Sequence, residues 1–252
     1  MSSFRFKQFT VLHEKSSIKV GVDGVLLGAW AAEATRNERN HVLKTLDVGC
    51  GCGLIALMMA QAFPEVQIDA VDIHHDSILE AQENFRRSPW STRLRAIECD
   101  IKDFIEKEPN GPKYDIIVSN PPFFNSGLTD KNTPREKARH QDTLSPISLL
   151  GFSSRLLKAG GSLFMILPTE QLEDLKSKTI FSGMTFRKIC LVKGSPQKCA
   201  KRVMVCFQKA LHTGCQDNHE DEIEFENLDL RLPNGDYTNR YRKLTSPYYL
   251  NF

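Results

Sequence analysis

A chain of 252 residues with 40% hydrophobic content can bury one sizeable core. Its 33 Lys and Arg against 31 Asp and Glu leave a net charge of +2, so any nucleic-acid contact must rest on a local basic patch. Seven scattered cysteines, with no secretory leader and no apolar run long enough for a bilayer, fit a soluble protein of the reducing cytoplasm. Cys50 and Cys52 form a C-x-C without a second Cys/His pair at ligand spacing. They read as small loop residues rather than a zinc site, and no metal is expected.

Apolar runs alternate with amphipathic segments along most of the chain, the pattern of a mostly parallel sheet covered by helices on both faces. In chain order, a buried helix is expected at Val25 to Ala31, then strands at Leu43 to Val48, Gln67 to Asp72, Leu94 to Glu98 and Tyr114 to Ser119. Helices are expected at Leu54 to Ala62 and His75 to Arg86. Beyond these come a helix at Pro146 to Leu157, a strand at Ser162 to Leu167, a helix at Glu170 to Lys176, and strands at Arg187 to Val192 and Arg202 to Phe207. Only Lys193 to Lys201 separates the last two, too short a connection for a helical crossover, so they are expected to form an antiparallel hairpin. This makes an α/β fold, Rossmann-like, with a seven-stranded sheet ending in that hairpin. The polar stretch His212 to Glu222 reads as a solvated connection, after which Glu224 to Leu232 alternates like one further short strand.

Leu46-Asp47-Val48-Gly49-Cys50-Gly51-Cys52-Gly53 sets three glycines where a buried strand turns into a helix. Glycine tolerates positive φ and has no Cβ, so the backbone there can approach a ligand closely. With an acidic residue closing the strand, the string resembles motif I of S-adenosylmethionine methyltransferases. Asp72 ends the next strand about twenty residues on, where a carboxylate can accept from both ribose hydroxyls of a nucleoside cofactor; alternatively it caps the following helix. The resemblance implies adenine contacts at Asp100, which could equally be an N-cap, and places Asp47 near the methionine amino group.

Ser119-Asn120-Pro121-Pro122-Phe123 follows the fourth strand, at the carboxyl edge where open α/β sheets bind ligands. The lone pair of an aromatic amine is delocalised into its ring, so acceptors aimed at its two hydrogens favour the pyramidal, nucleophilic form. Asn120 offers a side-chain oxygen and Pro121 a carbonyl, while Pro121 and Pro122 fix the backbone. Phe123 offers a face for an extruded base. The bland alternative is a rigid turn.

N-P-P-F and N-P-P-Y mark adenine-N6, guanine-N2, cytosine-N4 and protein-glutamine methyltransferases alike. The segment Phe6-Lys7-Gln8-Phe9 followed by Lys19 to Ala31 resembles the leader of the bacterial tRNA1(Val) adenine-N6 methyltransferases. Further similarity lies at Ala81 to Asn84, Ser88 to Trp90, Pro134 to Arg139, Lys201 to Val203 and Tyr237 to Leu250. The resemblance implies a single methyltransferase domain over 1–252, with a lid and substrate segment at 1–40, a cofactor-binding core at 41–210 and an extension at 211–252. It implies methylation of the adenosine 3′ of the anticodon, position 37, of tRNA1(Val). Gly21 and Asp23 would form the lid over cofactor and base, or simply a turn opening the first helix. Phe123 departs from the commoner Tyr of the family, which keeps the stacking face and removes a hydroxyl.

Arg135, Lys137 and Arg139 follow the N-P-P-F loop, with His140 beside them, and Lys193, Lys198, Lys201 and Arg202 flank the terminal hairpin. Arg240, Arg242 and Lys243 alternate with Tyr237 and Tyr241. Cations with aromatics between them suit an anticodon loop, whose unpaired bases are readily extruded; each cluster could equally be a solvated face. The expectation is a cytoplasmic monomer acting on tRNA, without membrane or metal. A guanine-N2 enzyme of ribosomal RNA, a protein-glutamine N5-methyltransferase and a non-catalytic protein that binds cofactor and RNA stand as alternatives.

Overall fold

Four central strands are buried along most of their length because both faces of the sheet are covered. The computed structural model describes residues 2–16, 19–38, 44–107, 114–122, 144–179, 182–211 and 223–252. Phe123, Arg135, Lys137, Arg139 and His140 lie outside these. The first half runs β1 (Ser3–Arg5), β2 (Thr10–Leu12), α1 (Val22–Glu38), β3 (Lys44–Val48), α2 (Leu54–Ala62), β4 (Gln67–Asp72), α3 (His75–Arg87), β5 (Leu94–Glu98), α4 (Ile101–Lys107) and β6 (Tyr114–Ser119). It continues with α5 (Pro146–Leu156), β7 (Leu157–Pro168), α6 (Leu172–Thr179), β8 (Met184–Lys193), β9 (Arg202–Lys209), β10 (Glu224–Asp229) and α7 (Asn239–Thr245).

The main sheet has the order β10-β8-β9-β7-β6-β3-β4-β5, and only β9 runs against the others. Among the described residues it therefore has eight strands where seven were expected. The additional one is β10, which pairs in parallel with β8 at the outer edge. Its alternation was visible in the sequence, but Leu228 alone among its six residues is buried, and so weak a pattern does not say which sheet the strand joins. The hairpin β8–β9 forms as expected.

Side chains alternate across the strands into two cores. Ile116 and Val118 pack with α1, α2, α3 and α7; Leu46, Val48 and Ile117 pack with α4, α5 and α6. Helix α1 extends beyond its expected apolar centre at both ends, and Trp30 is among the largest fully buried side chains. Trp30 donates to Glu226 of β10 at 2.8 Å, and Arg240 of α7 reaches Glu33 at 3.0 Å, so the final thirty residues brace the first helix.

The β1–β2 hairpin (β1 and β2 pair antiparallel) seats Phe6 and Phe9 in the same core. Phe9 meets Trp90 edge-on at 5.7 Å, Phe6 stacks with Tyr249 at 6.0 Å, and the Lys7 ammonium donates to the carbonyls of Ser246 and Phe252 at 2.6 and 2.7 Å. The family-like segments at both ends thus meet one another.

Candidate active site

The site forms where β3, β4 and β6 release the chain at their carboxyl ends. Gly49, Gly51 and Gly53 all have positive φ, at 68°, 53° and 79°. The turn is fastened by Gly49 N–H and Cys50 N–H donating to the Val71 carbonyl, and by Gly51 N–H donating to Asp72 Oδ2 at 2.9 Å. Gly53 faces inward: a Cβ there would lie 2.4 Å from the Phe85 ring of α3. Left-handed backbone and a clash with a packed ring act together, so Gly53→Ala is expected to cost about 2–4 kcal/mol. Urea denaturation measures this; an unchanged midpoint would contradict the packing.

A cavity of about 420 Å³ opens above this turn. Its walls bring together Gly21, Asp23, Gly49, Gly51, Asn120, Pro121, Pro122 and Arg202 of the expected residues. Lys19, Val22, Gly24, Cys50, Cys52, Leu54 and Ile55 complete the lining. Lys201 and four expected cofactor residues do not line it. Gly53 packs on α3, as described. Asp47 is buried beneath the turn, with Oδ2 accepting from Ala56 N–H at 3.0 Å. Asp72, also buried, accepts from Gly51 N–H and, at 2.9 Å, from His74 N–H just before α3. Asp100 caps α4, its Oδ1 accepting from Lys102 N–H at 2.8 Å.

The residues of the turn fit a nucleoside cofactor with a cationic end. Asp47 Oδ1 and Asn120 Oδ1 are both buried and have no hydrogen-bond partner among the described residues, an arrangement whose cost a ligand donor removes. Burial raises the Asp47 pKa from 3.8 to about 7, opposed by the Ala56 hydrogen bond and reinforced by the charge of Asp72. Burial likewise raises the thiol pKa of Cys50, and that of Cys52 to about 12, so both stay protonated and unreactive.

The Asp47 shift has a measurable consequence. Folded protein without cofactor holds a proton at Asp47 that the unfolded chain releases near pH 4, so the stabilisation is complete below that pH and is lost as pH rises through about 7. Stability should fall by a few kcal/mol across this window, and Asp47→Asn should flatten the profile. Thermal unfolding of both proteins at pH 5 and 8 checks this; parallel profiles would refute it.

Two fastenings of the amino-terminal segment were not read from the sequence. Arg202 Nε donates to Asp23 Oδ2 at 2.8 Å, joining β9 to the first turn of α1 across the opening. At the other end of the same segment, the Glu80 carboxylate of α3 accepts from the backbone N–H groups of Glu14, Lys15 and Ser16 at 2.8, 3.0 and 2.8 Å. Asn84, one helical turn on, bonds both the N–H and the carbonyl of Leu12 and donates to the Cys52 carbonyl. One face of α3 thereby fixes the amino-terminal segment to the glycine turn. The only trace of this in the sequence is the spacing of Glu80 and Asn84, which puts both on one helix face.

The N-P-P corner is set by Ser119, whose hydroxyl donates to the Val48 carbonyl at 2.8 Å. With Asp47 opposite Val118 in the sheet, this brings Asn120 beside Gly49. At the carboxyl end, Tyr241 is buried against Tyr237 and Phe252, and Arg240 is held by Glu33 and Glu226. Tyr241 and Arg240 of this cluster thus serve internal bracing, while Arg242 and Lys243 are exposed. No helix among the described residues is long and apolar enough to cross a membrane.

Comparison with known proteins agrees with this geometry. The model of the methyltransferase small domain matches residues 32–184. A tRNA1(Val) (adenine(37)-N6)-methyltransferase of Actinobacillus succinogenes is 38% identical over 100% of this chain and 98% of its own length. One of the same name from Yersinia enterocolitica is 35% identical over 99% of this chain and 93% of its own. A crystal structure from Agrobacterium tumefaciens, described as a predicted O-methyltransferase, shares the fold with a TM-score of 0.62 at 16% identity, covering 92% of this chain and 100% of that one. A matched domain spanning more than half of the chain, and relatives similar from end to end, place it in one group: the chain belongs to the tRNA1(Val) (adenine(37)-N6)-methyltransferase family.

Proposed function

We propose that this protein methylates N6 of the adenosine at position 37, immediately 3′ of the anticodon, in tRNA1(Val), with S-adenosylmethionine as methyl donor. The observation that carries the reading is the buried Oδ1 of Asn120, without a partner among the described residues and held by a two-proline corner at the wall of the glycine-turn cavity. When bound, S-adenosylmethionine supplies a methyl group activated by a sulfonium.

The chain's own residues do the rest. Gly49 and Gly51 give the cofactor close access to the backbone, with Gly53 keeping the turn tight against α3. Asp72 accepts from the ribose hydroxyls, Asp100 from the adenine, and Asp47 lies near the methionine ammonium through water, where that charge favours the ionised carboxylate. Gly21 and Asp23 cover the site. Asn120 Oδ1 and the Pro121 carbonyl accept the two hydrogens of the target amine, which favours its pyramidal form and stabilises the positive charge that develops on it. Pro122 stiffens the corner and Phe123 stacks on the base. The amine proton can leave to solvent, so no titrating base is required.

Arg135, Lys137, Arg139, Lys201 and Arg202 face RNA phosphates, with Arg202 linked to the cover through Asp23. The protein acts as a single catalytic unit over 1–252, as a monomer in the cytoplasm on the anticodon loop.

Incubation with labelled cofactor and separate tRNA, rRNA and protein fractions tests the assignment. Label is expected in tRNA1(Val), and digestion should yield N6-methyladenosine that is missing from tRNA of a deletion strain. Label confined to protein, or recovered as N2-methylguanosine, overturns it.

A further inference from the structure

A chain with a net charge of only +2 can bind RNA firmly only where its positive charge is locally concentrated. Between Lys193 and Arg202 the sequence carries four cations and no carboxylate. The structure places this loop at the ligand-binding edge: β8 runs parallel to β7 and β6, so the loop leaves β8 on the same side as Asn120. Strand β10 lengthens that edge. Because it is parallel to β8, with Asp229 opposite Lys193, the chain leaves it on the same side again.

Leu230 N–H then donates to the Lys193 carbonyl at 2.9 Å and Arg231 N–H to the Gly194 carbonyl at 3.2 Å, fusing loop and extension into one surface. Arg231 is exposed and held flat. Its guanidinium lies 4.1 Å from the Tyr237 ring centroid and donates to the Tyr237 hydroxyl at 2.9 Å and the Gly235 carbonyl at 2.6 Å.

Arg202 already pairs with Asp23, whereas Lys198 and Lys201 are exposed and, like the half-buried Lys193, make no ion pair among the described residues. Asp229 and Asp236 also lie along this surface. Asp229 has a buried Oδ1, and Asp236 is bonded to Asn234. Four strand steps separate β6 from β10, about 19 Å at the usual spacing, which is the reach of several phosphates beyond a base held at Asn120.

We propose that the β8–β9 loop and the turn after β10 form one cationic shelf that holds the phosphates of the RNA stem next to the target nucleotide. Lys193, Lys198 and Lys201 supply the charge and Arg231, braced on Tyr237, is the far anchor. The shelf rests on the RNA reading above and adds to it a second point of contact, remote from the chemistry.

The test uses full-length protein and tRNA. K193Q/K198Q/R231Q should raise the KM for tRNA about tenfold and reduce the slope of log affinity against log salt by about 2 to 3. The kcat at saturating tRNA and the affinity for S-adenosylmethionine should stay within twofold. K193Q/K198Q, which leaves the Arg231 turn untouched, should give a smaller change of the same kind. Unchanged KM and salt slope in a folded variant overturn the shelf, as does a loss confined to kcat or cofactor affinity. If the parent protein labels no RNA at all, the RNA reading itself falls; if it labels tRNA and the variants match it, only the shelf falls.

Discussion

Asn120→Ala is expected to lower methyl transfer to tRNA about a hundred- to a thousandfold while cofactor affinity changes little. Asn120 Oδ1 has no partner among the described residues, so truncation takes no described hydrogen bond from that oxygen and leaves the corner supported by Ser119 and the two prolines. What is lost is an acceptor whose attraction for the amine hydrogens grows as positive charge develops on nitrogen. A group of that kind acts on kcat more than on KM. Single-turnover transfer, with cofactor affinity measured separately by calorimetry, checks both halves. A variant with parental turnover removes Asn120 from its assigned role; one that no longer binds cofactor shows it to be a binding residue instead.

Asp72→Ala should act on the other half of the reaction, raising the dissociation constant for S-adenosylmethionine about a hundredfold or more. Two effects add. A carboxylate hydrogen bond to each ribose hydroxyl contributes about 1.5–3 kcal/mol. In addition, the same carboxylate holds Gly51 N–H and His74 N–H, so its removal loosens the turn that would receive the cofactor. Asp72→Asn keeps one acceptor for Gly51 and loses the charge, and should fall between the two. Calorimetry on all three proteins decides the matter. Equal affinity in the alanine variant would leave Asp72 only its bonds to Gly51 and His74.

The parts of this molecule that could be read from the sequence are those governed by neighbouring residues. Strands β4, β5 and β6 and helix α2 have the expected ends because each run is bounded by glycine, proline or polar residues that break it. The glycine turn and the N-P-P corner were legible for the same reason. Helix α4 was missed: its seven residues carry too little periodicity to register. The β1–β2 hairpin was missed because its strands are three residues each and Phe6 and Phe9 find their core only against Trp90 and Tyr249. Partners far apart in the chain stayed invisible. Nothing near Arg240 shows that it meets Glu33, and nothing near Arg202 shows that it closes on Asp23. Of the candidate site, the motifs were legible and the fastening of the segment over it was not.

The bracing of α1 by Glu226 and Arg240 has a bearing on biosynthesis. Glu33 and Arg240 are 207 positions apart, so at ordinary translation rates the helix next to the cofactor mouth waits on the order of 10–40 s for its last contacts. The strands that form the nucleoside pocket leave the ribosome well before then. A nascent chain can therefore pair β3, β4, β5 and β6 and pack its first helix on α2 before that helix receives its bonds from Glu226 and Arg240, which arrive with the final thirty residues.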